Sequence, residues 1–64
     1  MNLIEGIQQE QKRVRELLTM YEEIPQGAFG AIMLKQVIAE SEKAIASGDI
    51  VLMVQCLAEL KECE

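Results

Sequence analysis

The stretch Ala44-Ile45-Ala46-Ser47-Gly48-Asp49-Ile50-Val51-Leu52-Met53 constrains this chain more than any other. An apolar helical run stops at Ser47-Gly48, and Asp49 opens a second apolar run at once. Glycine suits the left-handed C′ position that ends a helix, because it has no Cβ to clash. Aspartate suits the N-cap, where its carboxylate accepts a bond from the free N–H groups of the next turn. So short a connection leaves two consecutive helices one packing option, an antiparallel hairpin. The expected fold is all-α: a long N-terminal helix followed by a tight antiparallel helical hairpin, in a single domain over residues 1–64.

The first helix is predicted over residues 3–23. Asn2, with Glu5 three residues later, is a relaxed form of the capping box. Ile7, Val14 and Tyr21 share one heptad position, while Leu3, Leu17 and Ile24 share another in which Glu10 fills the gap. The pattern is a coiled-coil-like seam interrupted by the polar run Gln8-Gln9-Glu10-Gln11-Lys12-Arg13. Pro25 ends this helix, because the residue before a proline is pushed out of the helical region. A turn at Pro25-Gln26-Gly27 leads into a second helix over 28–47, whose stripe is Ala31, Leu34, Ile38, Ser41 and Ile45. Gly30, near the start of that helix, suggests either a close approach by another helix or a slightly delayed start.

The third helix, over 50–62, opens with five consecutive apolar residues, Ile50 to Val54. One stripe cannot hold them all, and a helix apolar around most of its circumference is covered on more than one side. A chain of 64 residues is marginal alone, and small folds gain stability from disulfides, metals or oligomerisation. There is no histidine and there are only two cysteines, so a metal is not expected. Cys56 and Cys63 lie two helical turns apart, about 10 Å along one helix, which is beyond bridging distance. They read as core-facing or half-buried thiols in a reducing cytoplasm, with an intermolecular disulfide or a redox role as the alternatives. The remaining route is a symmetric homo-oligomer, with Ile7, Val14, Leu17, Val51, Val54 and Leu57 at its interface.

No arrangement of residues suggests catalysis. Without histidine there is no Ser-His or Cys-His pair, and Glu22 and Glu23, as helix neighbours, point about 100° apart. The chain reads as a non-enzyme that implies no cofactor. A net charge of −5 argues against duplex nucleic acid as a partner. No secretion signal is evident, and no run approaches the ~18 apolar residues of a membrane span. The expected location is the cytoplasm.

Two places suit an anion. Lys12, Arg13 and Arg15 are half of the six cations. They form either a solvated face balanced by Glu10 and Glu16 or a phosphate-gripping cluster concentrated by oligomer symmetry. The segment Tyr21 to Gly30 holds both aromatics and the only proline. Gly27-Ala28-Phe29-Gly30 falls at a helix start, where free N–H groups favour anions. Phe29 either fills the core or, with Tyr21, walls a stacked base.

Tyr21-Glu22-Glu23-Ile24-Pro25, Gly27-Ala28-Phe29-Gly30-Ala31, Ala46-Ser47-Gly48-Asp49 and Leu60-Lys61 together resemble small helical proteins of bacteriophage and prophage genomes. The resemblance spans nearly the whole chain and carries no catalytic residues. It implies stoichiometric action on host factors in the host cytoplasm. One form is an anti-defence protein that sequesters an anionic, nucleotide-like signal between subunits, through Lys12, Arg13, Arg15, Tyr21, Phe29 and Gly30. The alternative is a protein-interaction module that docks on a host or phage protein and inhibits it.

Overall fold

A computed structural model describes residues 2–64. It contains α1 (Leu3–Glu22), a 3-10 turn (Pro25–Gly27), α2 (Ala28–Ser47) and α3 (Ile50–Glu62), with no strand among the described residues. The fold is all-α.

Each helix boundary has a local cause. The Asn2 side chain accepts a bond from the Glu5 N–H at 2.8 Å, satisfying one of the donors left free at the start of α1. α1 ends one residue before the expected limit. Glu23 is its C-cap; its N–H donates to the Met20 carbonyl, and the Ile24 N–H donates to the Tyr21 carbonyl. Ile24 is extended, at φ −104 and ψ 124, as a residue before proline must be. Gly48 has φ 71, the only positive φ among the described residues, and its N–H returns to the Ala44 and Ile45 carbonyls. Asp49 then caps α3 by accepting from the Leu52 N–H at 3.2 Å. The whole connection between α2 and α3 is Gly48 and Asp49.

All three helices pack on one another. Ile7 and Val14 of α1 meet Leu34, Ile38 and Ala44 of α2, and Met53, Cys56 and Leu60 of α3. α1 and α2 run in opposite directions, because Arg15 pairs with Glu42 while the later Glu22 pairs with the earlier Lys35. Ile7 and Val14, expected at a subunit interface, are fully enclosed by this chain's own core. The seam they form faces α2 and α3, so it has no surface to offer a partner.

The polar interruption of the α1 seam is also part of the core. Gln11 is 5% exposed and occupies the inward position between Ile7 and Val14. Its Nε2 donates to Ser41 Oγ at 2.7 Å, and the Ser41 hydroxyl donates to the Ile38 carbonyl at 2.6 Å. A buried amide is tolerable only with such partners.

Candidate functional site

The three clustered cations do not converge. Arg13 lies across the end of α3, where Nη2 donates to the Leu60 carbonyl at 2.7 Å and Nη1 to the Cys63 carbonyl at 2.9 Å. Its Nε donates to Glu10 at 3.3 Å. All three guanidinium nitrogens therefore donate within the chain, while the side chain stays partly exposed. It joins the Cys63 N–H at the Leu60 carbonyl, takes up the Cys63 carbonyl and complements the negative end of the helix dipole. Arg15 points the other way, to Glu42 at 3.2 Å. Lys12 is exposed and forms no ion pair among the described residues.

Tyr21, Gly27 and Gly30 form one structural knot. A Cβ on Gly30 would stand 2.5 Å from the Tyr21 ring, and a Cβ on Gly27 would stand 2.2 Å from the Tyr21 carbonyl oxygen. Both glycines are present because the end of α1 presses on the start of α2. This is the close approach that Gly30 suggested, and α2 already begins at Ala28. The Tyr21 hydroxyl donates to the Glu64 carbonyl. Tyr21 thus joins the end of α1, the start of α2 and the end of α3, and one side of its ring is taken up by Gly30. Phe29 is the opposite case. It does not fill the core: it is 73% exposed, on the outer side of α2.

Apolar surface is concentrated at the two ends of a bundle 36 Å long. At the Tyr21 end, Ile24, Pro25, Ala28, Ala31 and Ile32 line an open groove of about 450 Å³ with Glu22 and Lys35 at its rim. Phe29 and Met33 extend this surface one turn around Ile32. At the other end, Leu3, Ile4, Ile50 and Met53, with Asn2, line a second open groove of about 360 Å³. Val51 and Val54 stand exposed beside it. Of the residues expected at an interface, these two are available, while Leu17 and Leu57 are half-buried against the core.

Cys56 is buried and Cys63 half-buried, both as free thiols. Burial pushes both above the ordinary thiol value; for Cys63, the Arg13 charge acts in the opposite direction. Among the described residues, no group of three or more His, Cys, Asp or Glu is placed to hold a metal ion. No described helix is long and apolar enough to cross a membrane. Sequence reasoning missed the Gln11–Ser41 pair. The available signal was Ser41 within an otherwise apolar α2 stripe, which requires a polar neighbour on the facing helix. No family model, curated protein or solved structure matches this chain, so the similarity to small phage proteins rests on the quoted residues alone.

Proposed function

We propose that this chain is a non-catalytic protein-interaction module that acts by stoichiometric docking and assembles with itself. One observation carries the reading. Ten large apolar side chains stand exposed on a chain of 64 residues: Ile4, Met20, Ile24, Phe29, Ile32, Met33, Ile50, Val51, Leu52 and Val54. Scattered apolar residues need no explanation, but contiguous patches of this kind mark interaction surfaces.

The end formed by Ile4, Ile50, Val51 and Val54 suits a second copy. The α2–α3 hairpin presents it as a rigid tip. Its charged neighbour Asp49 caps α3 by accepting from the Leu52 N–H.

Docking explains more of the geometry than sequestration of a nucleotide. Arg13, the strongest phosphate-gripping candidate, is committed to Leu60, Cys63 and Glu10. The host or phage protein of the resemblance is the kind of partner this reading implies. The test is the mass in solution by light scattering at micromolar concentration. A multiple of 7.2 kDa is expected for the chain, and Val54→Asp is expected to return the single-chain mass with helical content retained. A single-chain mass with a cooperative melt overturns the self-association. A screen of cyclic and linear nucleotides by thermal shift overturns the choice between readings if one stabilises the fold by ~2.7 kcal/mol at a hundred times its Kd.

A further inference from the structure

We propose that Gly48-Asp49 is a closure lock: it keeps α3 on its own chain, and without it two copies exchange their third helices. The proposal is independent of the tip contact above. Gly48 takes φ 71, yet a Cβ placed on it meets nothing within 4 Å. Room is therefore not the reason for glycine; the left-handed backbone is. Ser47 Oγ accepts from the Asp49 N–H at 3.3 Å, and Asp49 accepts from the Leu52 N–H at 3.2 Å. These contacts hold the reversal of direction, and all of them are local.

The residues on either side are in phase for one continuous helix. At about 100° per residue, Ile38, Ser41, Ile45, Leu52, Cys56 and Leu60 fall within a single arc of about 100°. A hairpin does not require this, because its turn resets the phase of the next helix. Straightened through Gly48-Asp49, the chain from Ala28 to Glu62 keeps one seam. Two such helices lie antiparallel about a twofold axis, each α3 packed on the α1 and α2 of the other copy. Every core contact of α3 is then made again between chains, which is why exchange of a whole element costs little. Leu52, 37% exposed in the hairpin, gains Ile45 of the second copy as a neighbour. A short connection between two packed helices invites such exchange. Asp49 opposes it. It lies in the same arc, so the exchanged form sets two Asp49 carboxylates near each other at the axis, where like charges repel. Gly48 opposes it as well, because glycine is disfavoured in a helix interior. Both residues of the connection thus favour the closed chain.

The experiment uses the whole chain carrying Val54→Asp, which removes the tip contact and lies outside the seam. Gly48→Ala with Asp49→Ala is added, and the mass is read by light scattering. Twice the 7.2 kDa of the chain is expected, persisting on dilution, with helical content retained. Tagged and untagged dimers should mix only after unfolding and refolding in urea, because exchange requires α3 to leave its core. Small-angle scattering should show a particle longer than the 36 Å closed bundle, since a helix over residues 28–62 spans about 52 Å. Gly48→Asn with Asp49 retained should stay closed, because asparagine also accepts the left-handed conformation. A single-chain mass for the double variant, or a dimer that mixes freely without unfolding, overturns the proposal. Loss of helix overturns it too, because exchange retains every core contact of α3. If Val54→Asp alone is already assembled, the tip contact fails, and the mixing assay still decides the exchange.

Discussion

The Arg13 guanidinium lies against the carbonyl of Leu60, donating to it at 2.7 Å across 47 positions of sequence. With the Cys63 carbonyl at 2.9 Å, this contact makes a side chain of α1 the C-terminal cap of α3. The arginine is part of what closes the bundle. Arg13→Ala is expected to destabilise the fold by about 1–2 kcal/mol, the scale of a partly exposed charged hydrogen bond at a helix end. Arg13→Lys should recover only part of the loss, because an ammonium cannot span two carbonyls as a planar fork does. Urea unfolding followed by circular dichroism measures both; unchanged stability in Arg13→Ala would remove the capping role.

Tyr21 and Gly30 are coupled by shape. Gly30→Ala normally favours a helix, yet here the new Cβ meets the Tyr21 ring at 2.5 Å. A net loss of about 1–3 kcal/mol is expected, typical of overpacking. In Tyr21→Leu the same alanine should cost clearly less, and a double-mutant cycle on thermal unfolding reads that difference directly.

Gln11 and Ser41 are expected to behave as a pair. Ser41→Ala removes the hydroxyl that accepts from Gln11 inside the core and should cost about 1–3 kcal/mol, the penalty of an unpaired buried amide. Gln11→Leu combined with Ser41→Ala replaces both partners by apolar groups and should lie close to wild type. Denaturant midpoints of the three variants decide it; additive losses would show that the pair does not act as a unit.

The buried thiol of Cys56 makes stability depend on pH on the alkaline side. Burial raises the Cys56 thiol above its ordinary 9.0, and Glu59 and Glu40 push it further. The folded state then holds the proton after the unfolded state has lost it. Stability from this group is whole below the unfolded value and falls as pH rises through the folded one. The urea midpoint should be steady from neutral pH up to the ordinary thiol value of 9.0 and decline above it, with a shallower decline in Cys56→Ala. Cys63, half-buried, should alkylate before Cys56 under native conditions. Mass spectrometry of the trapped adducts gives the order.

Much of the local structure was legible because its causes are local. Asn2 as an N-cap, Pro25 as a stop, Gly48 in the left-handed region and Asp49 as the next cap each act within one turn of chain, where residue type decides the outcome. The all-α class follows from the same signals. What the sequence could not decide is where side chains go once helices meet. Gln11 read as a break in a seam and became a core residue, because its partner Ser41 is 30 positions away. Arg13 read as part of a cationic cluster, but the end of α3 lies within its reach and takes its fork. Ile7 and Val14 looked suited to another chain, yet α2 and α3 cover them completely. Phe29, an apolar candidate for the core, stays outside because it falls on the face of α2 turned away from Leu34 and Ile38. Composition determined that this chain has more apolar surface than one short bundle covers; tertiary packing alone decided which side chains remain uncovered, because each enclosed position depends on a partner distant in sequence.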